Sequence, residues 1–303
     1  MKKILITGAS GFIGRHCLPL LLDKGYEIHA ISSKIQPESR PGIIWHHVDL
    51  LDVSQINRLI ATVRPAQILH LAWYAEPCQF WNAWENLRWV QSSLSLLEAF
   101  AREGGQRIVM AGSCAEYNWK YSFLSEQHTP LSPLTLYGTC KHALQITLSS
   151  FAEQSGLSTA WGRIFFLYGP YEHPLRLTSY VIRSLLKNEP ALCSHGNQIR
   201  DFLYVEDAAS AFVALLESEF RGPVNIASGQ PVSIKEIISK IAVHLDRLDL
   251  IRFGEISTRE EPLLLLADTD RLMSKVGWRP SIDLDSGLSR TIAWWRDTFK
   301  FSQ

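Results

Sequence analysis

Residues 1–14 read MKKILITGASGFIG, and how that stretch is taken decides the rest of the chain. A charged pair and an apolar run could open a secretion signal, but such a signal needs roughly 7–15 apolar residues before its cleavage site. Ile4, Leu5 and Ile6 give way at once to Thr7 and Gly8. The stretch reads instead as a buried strand over Ile4–Thr7, a glycine turn, and a helix over Gly11–Lys24. Gly8, Gly11 and Gly14 stand three apart. That spacing allows a tight turn after the strand, close approach of backbone to a pyrophosphate, and a helix packed hard on the sheet. Peptide N–H groups and the positive helix end then face the phosphates. The candidate dinucleotide contacts here are Gly8, Ser10, Gly11, Phe12, Ile13 and Gly14.

Strands and helices go on alternating. Strands are expected over Glu27–Ile31, Ile68–Leu71, Arg107–Ala111 and Ser158–Phe166, with helices over Ser54–Val63, near Trp84–Glu103, and over Leu136–Gln154. Repeated βα units of this kind build a parallel sheet covered on both faces. The expected fold class is α/β, a Rossmann-type doubly wound parallel sheet with a smaller C-terminal α/β substrate domain. From about Tyr168 the rhythm loosens and prolines appear. The expected division is a dinucleotide-binding domain over 1–167, to which a strand at 222–228 returns, and a substrate domain over 168–303.

The 303 residues carry 30 Lys plus Arg against 30 Asp plus Glu, so bulk charge gives no case for nucleic acid or an anionic membrane as partner. No apolar run approaches the ~20 residues that span a bilayer. Cys17, Cys78, Cys114, Cys140 and Cys193 are scattered, without a CxxC pair, and read as reduced cytoplasmic thiols, with no metal site expected.

Three further stretches belong to the cofactor side. A carboxylate at the end of the second strand would accept the ribose hydroxyls of NAD. Here the chain offers Ser32, Ser33 and Lys34, with no acid before Glu38, and two hydroxyls with an ammonium suit a 2′-phosphate better. NADP(H) is favoured, with NAD(H) the alternative. Asp49 and Leu50, after a third apolar run, would bracket adenine. Leu71, Ala72 and Trp73 would line the nicotinamide ribose, while His70 reads as a packed strand-end residue.

Two stretches carry chemistry. VMAGSCAEY sets Ser113 just beyond a strand's C-terminal end, and LYGTCK sets Tyr137 and Lys141 four apart, on one helical face. A free tyrosine, with a pKa of ~10, is a poor acid–base catalyst at neutral pH. An ammonium one turn away would favour the phenolate and bring it into range. Ser113 could hold the reacting oxygen across the site.

With these residues in place the chain resembles the extended short-chain dehydrogenase/reductases that act on nucleotide sugars. The resemblance rests on GASGFIG, the Ser113 stretch, YGTCK, RIFFLYGP, RDFLYVEDAASAF, NIASG and GWRP. It implies Ser113, Tyr137 and Lys141 as catalysts, with Tyr137 and Lys141 also on the cofactor. It further implies a nucleotide-diphosphate sugar as substrate, Arg200 and Arg259 on its diphosphate, and a homodimer paired through the helices around Trp84–Glu103 and Leu136–Gln154. Phe165 is assigned to the cofactor and His173 to the sugar. Asn225 and Asp207 are assigned to the fold, Asp207 by capping the helix after it.

Two departures narrow the chemistry. Dehydratases of this family carry Asp and Glu directly after the catalytic hydroxyl residue, where this chain has Cys114 and Ala115. Glu116 is one place off and should point away if the local backbone is extended, so dehydration is not expected. Phe166 stands where many relatives have an Asn that contacts substrate. The stretches HLAWYAEP and QFWNAWENLRW look like reductases of the deoxy-talose, abequose and paratose type. The expected activity is an NAD(P)H-dependent 4-ketoreductase for a dTDP- or CDP-linked 4-keto-6-deoxyhexose. The alternatives are an NAD-dependent 4-epimerase and, from another class, a dinucleotide-binding relative without turnover. Trp81, Trp84 and Trp89 could stack on a base or sugar but fit core or dimer contacts better, and Trp294 and Trp295 read as core.

Overall fold

A computed structural model of the chain describes residues 2–32, 41–257 and 262–300. Ser33, Lys34 and Arg259, assigned above to cofactor and substrate, lie outside the described residues.

The chain runs β1 (Lys3–Thr7), α1 (Gly14–Asp23), β2 (Glu27–Ser32), β3 (Ile43–His47), α2 (Val53–Val63), β4 (Gln67–His70), α3 (Glu85–Arg102) and β5 (Arg107–Ser113). There follow β6 (Phe123–Leu124), α4 (Leu136–Ser155), β7 (Ser158–Ile164), β8 (Phe166–Tyr168), α5 (Leu177–Leu186), β9 (Ala191–Cys193) and β10 (Ile199–Tyr204). The last part holds α6 (Val205–Glu217), β11 (Gly222–Ile226), β12 (Pro231–Ser233), α7 (Ile234–Leu245), β13 (Ile251–Phe253), β14 (Leu264–Ala267) and α8 (Leu284–Lys300).

The main sheet has the order β11-β7-β5-β4-β1-β2-β3, every pairing parallel. Its central strands are buried from end to end, as the burial of Arg107–Ser113 illustrates, because helices cover both faces. On one face α1 and α6 bury Cys17, Leu18, Leu21, Ala208 and Phe212 against Ile4, Ile6 and Val109. On the other, α2, α3 and α4 bury Ile56, Ile60, Leu96, Phe100 and Leu144 against Leu5, Ile68 and Met110. The strand order reverses beside β1, between β2 and β4, and ligands of open α/β sheets bind at the carboxyl ends of strands at such a point. A second sheet, β12-β10-β14-β6 with β8 also on β10, and a two-stranded pair β13-β9 lie among α5, α7 and α8.

Helix α1 starts at Gly14, three residues later than the spacing suggests. Residues 8–13 instead close the turn, with Gly11 N donating to Gly8 O at 2.9 Å. Position 14 must be glycine: a Cβ there would stand 2.2 Å from Gly8 O, so any side chain would push α1 off β1.

Two expectations about structural residues need correction. Asp207 does not cap α6, because the helix already begins at Val205. Its carboxylate accepts instead from Ser281 N (3.0 Å), Ser281 Oγ (2.7 Å) and Ile282 N (2.9 Å), fastening the segment before α8. The chain after Ser113 is not extended but makes a 3-10 turn over Cys114–Glu116. Glu116 still points away from the expected site, because the turn folds its carboxylate back under Ser113 N at 2.7 Å.

Candidate active site

A cavity of about 650 Å³ opens at the carboxyl ends of β1, β4 and β5. The glycine turn forms one end through Gly8, Gly11, Phe12, Ile13 and Gly14. Leu71, Ala72 and Trp73, at the end of β4, line it as well. Short backbone spacing and the first N–H groups of α1 at a strand-order reversal fit a dinucleotide pyrophosphate. Ser10, Ser32, Asp49 and Leu50 are not in its lining. Ser10 Oγ and Ser32 Oγ are 3.4 Å apart. Asp49 is exposed, accepting from Leu51 N at 2.9 Å, and Leu50 is buried with Ile56 and Leu96.

Ser113 and Tyr137 both line the cavity. Ser113 ends β5, and Tyr137 is in the first turn of α4. What brings them together is a close approach of α4 to the turn after β5: a Cβ on Gly138 would lie 2.2 Å from Ala115 O. The helix start is pinned by Thr135 Oγ1, which accepts from Gly138 N at 3.1 Å. Tyr137 N, an otherwise orphaned helix-terminal donor, goes to Trp81 O at 2.9 Å. Burial raises the Tyr137 phenol above its ordinary pKa, while a hydrogen bond with Ser113 and the charge of Arg176 pull it back down.

Lys141 is buried below this floor and is not part of the lining. Its Nζ donates to Ala111 O at 2.8 Å and sits 3.6 Å from the centre of the Trp73 ring. Burial lowers its pKa to about 7, against the upward pull of Glu116. His70 is likewise enclosed, between Thr7 Oγ1 (2.7 Å) and Ser93 Oγ (2.9 Å). Burial, helped by Lys141, lowers its pKa to about 3, so it is neutral.

Of the expected substrate residues, Cys114, Phe166, His173 and Arg200 line the cavity, as does Phe165. Arg200 is buried, donating to Ile199 O and Pro262 O at 2.9 Å, with its guanidinium 5.4 Å from the centre of the Phe166 ring. His173 is partly exposed and sits 3.6 Å from Glu76.

The lining also holds residues that the sequence reading set aside or passed over. Phe80 and Trp81 stand edge-on to Tyr137, with ring centres 4.9 and 5.9 Å away, and Trp119 stands edge-on to Trp81. Trp81 therefore belongs to the cavity wall, while Trp84 is 82% exposed. Glu172, Arg176 and Gln198 were missed altogether. An acid four residues before an arginine, in YGPYEHPLR, and a glutamine two before Arg200 were the available signals. Among the described residues, no group of His, Cys, Asp and Glu could hold a metal ion, and no helix is long and apolar enough to cross a membrane.

The comparisons agree with this architecture. The model of the NAD dependent epimerase/dehydratase family matches residues 4–227. UDP-glucuronic acid decarboxylase 1 of Xenopus tropicalis is 26% identical, over 97% of this chain and 72% of the relative. CDP-abequose synthase of Salmonella muenchen is 22% identical, over 96% of this chain and 97% of the relative. Among solved structures, the UDP-glucose 4-epimerase of Thermotoga maritima, crystallised with UDP-glucose, superposes with a TM-score of 0.89 at 23% identity, covering 98% of this chain and 99% of that one. The chain belongs to the NAD-dependent epimerase/dehydratase family and has its extended short-chain dehydrogenase/reductase fold.

Proposed function

We propose that this enzyme of the NAD-dependent epimerase/dehydratase family is a 4-ketoreductase, acting on a nucleotide-linked 4-keto-6-deoxyhexose with NAD(P)H. One observation carries the reading: among the described residues, the corner where Ser113 and Tyr137 meet offers hydroxyls and no carboxylate. Cys114 is the neighbour there, and Glu116 is turned under β5 onto Trp161 and Arg163. Elimination of water, or proton abstraction beside a ketone, needs a further acid–base group at that corner. Transfer of one hydride and one proton does not. The walls around Tyr137, formed by Phe80, Trp81 and Trp119, suit a sugar that has lost its 6-hydroxyl.

When bound, the nicotinamide supplies hydride to C4 of the sugar. Tyr137 then gives its phenolic proton to the C4 oxygen, and Ser113 Oγ–H holds that oxygen by a hydrogen bond. Arg176, whose charge favours the phenolate, eases the proton's departure. The glycine turn takes the pyrophosphate, and Lys141, buried beneath the cavity floor against Trp73, would hold the ribose with the N–H donors not spent on Ala111 O. β2 closes on Ser32 beside Ser10, and the absence of an acid before Glu38 favours a 2′-phosphate, although the family is described as NAD dependent. Arg200 fits the substrate diphosphate. Pairing of two copies through α3 and α4 would cover Trp84, Leu87 and Ile146, all exposed.

A second reading, a 4-epimerase, uses the same two hydroxyls in both directions and is favoured by the family description. The test is direct. Absorbance of NADPH should fall in step with consumption of a dTDP- or CDP-linked 4-keto-6-deoxyglucose, faster than with NADH. Conversion of a nucleotide hexose to its 4-epimer by purified protein without added coenzyme would overturn the reductase.

A further inference from the structure

We propose that Glu172 is a specificity-determining residue that accepts a hydrogen bond from a ring hydroxyl of the substrate hexose; this rests on a nucleotide sugar occupying the cavity. Glu172 is the single acidic residue in the cavity lining among the described residues, and it is 6% exposed. Its loop is built to turn it inward. Tyr171, just before it, has φ +69°, a left-handed conformation that is unfavourable for a bulky residue. The Tyr171 ring is held outside, 3.8 Å from the Arg15 guanidinium and 4.7 Å from the ring of Trp294. With Tyr171 fixed outward, the next side chain enters the cavity wall.

The carboxyl is only half used by the protein. Oε2 accepts from Ser179 N at 3.2 Å and Ser179 Oγ at 2.9 Å. Oε1 makes no hydrogen bond among the described residues. Burial raises the carboxyl to about 7, against the pull of Ser179 and Arg176. With the rest of the side chain enclosed, Oε1 is the acceptor that Glu172 offers to a donor in the cavity.

The neighbourhood identifies the donor. Arg176 acts on both Glu172 and Tyr137 and lies 5.4 Å from the centre of the Phe80 ring, which stands edge-on to Tyr137. Glu172 thus shares the cavity lining with Arg176 and with the Phe80 and Tyr137 rings of the reaction corner. A diphosphate oxygen and a methyl group have no proton to donate to Oε1, whereas a sugar O–H has. Phe166, standing where the family resemblance leads one to expect an amide on the substrate, has no polar group to offer. Glu172 supplies an acceptor from another wall.

The experiment measures binding by titration calorimetry, using dTDP, CDP, dTDP-glucose, CDP-glucose and NADPH. With Glu172→Leu, which has no acceptor, the nucleotide-glucose that wild type prefers should bind about 10- to 100-fold more weakly, while its bare diphosphate and NADPH bind as before. Those two ligands also report that the variant is folded. Should the variant fail to fold, wild type alone answers: removing one of the 2- and 3-hydroxyls of the glucose, and not the other, should weaken binding by a similar factor. Undiminished affinity for both deoxy analogues, unchanged binding of the nucleotide-glucose by Glu172→Leu, or a loss in that variant shared by the bare diphosphate or NADPH, overturns the assignment of Glu172 and leaves the proposed activity standing. Failure of wild type to bind any nucleotide sugar overturns both.

Discussion

Two buried charges lie on either side of Ser113, and the protein treats them in opposite ways. Behind the serine, Glu116 accepts from Ser113 N (2.7 Å), Trp161 Nε1 (2.9 Å) and Arg163 Nε (2.7 Å). Arg163 passes the network on through Nη1 to Tyr117 Oη at 3.2 Å, and Tyr117 reaches Asn225 at 2.7 Å. Below the cavity floor, Lys141 spends one of its three N–H donors, on Ala111 O, and rests its charge on Trp73. The first charge is saturated and fixes backbone; the second is under-coordinated and leaves donors for a ligand. A buried charge is worth most to stability where every lone pair is met, and most to function where it is not.

The comparison breaks first if Glu116 can be removed cheaply. Glu116→Ala leaves Arg163 charged and unpaired at 0% exposure, together with the orphaned N–H groups of Ser113 and Trp161. Losing one partner of a buried pair costs about 3–5 kcal/mol, and urea denaturation should report a loss of that size. A loss below ~1 kcal/mol would mean that the network does not carry the turn after β5.

On the functional side the largest effect belongs to Tyr137. Tyr137→Phe keeps the ring that packs on Phe80 and Trp81 but removes the proton and the hydrogen bond with Ser113. The catalytic constant should fall by ~10²-fold or more while NADPH binding and the urea midpoint stay near wild type. Unchanged turnover would remove Tyr137 from the reaction.

How far each region was legible follows from what fixes it. The glycine turn, Ser113 and Tyr137 could be read because each sits a fixed few residues from the end of a strand or the start of a helix, so chain spacing determines position. Glu116 was legible in direction but not in cause: an acid in the third place after the serine needs a 3-10 turn, not an extended chain, to fold under its own backbone. Glu172 and Arg176 had no such rule. They face inward because Tyr171 takes a left-handed conformation and because Arg15 and Trp294 hold its ring outside, contacts made by residues more than a hundred positions away on either side. Trp81 was set aside as packing because an aromatic-rich stretch has no period of its own. Its place beside Tyr137 comes from its backbone carbonyl, which takes the second N–H of α4, that of Tyr137 itself.

The smallest effect sharpens the comparison most, because it reads the Lys141 charge itself. The folded chain holds the lysine at about 7, against 10.5 for the unperturbed group. Between those values the unfolded chain carries a proton that the folded chain has released, so the lysine's contribution to stability increases as pH rises through the window. Below pH 7 both states are protonated and the full cost of burying the ammonium remains. Lys141→Met removes this term and leaves the other titrating groups in place. The stability of wild type relative to the variant, measured in urea, should therefore climb by on the order of 1 kcal/mol between pH 7 and pH 8. Saturating dinucleotide, by offering hydroxyls to the amine's remaining donors, should hold the lysine charged and flatten that climb. Parallel curves for the two proteins would show that the Lys141 ammonium is as well kept as the Glu116 carboxylate, and the contrast between the two sides of Ser113 would fall.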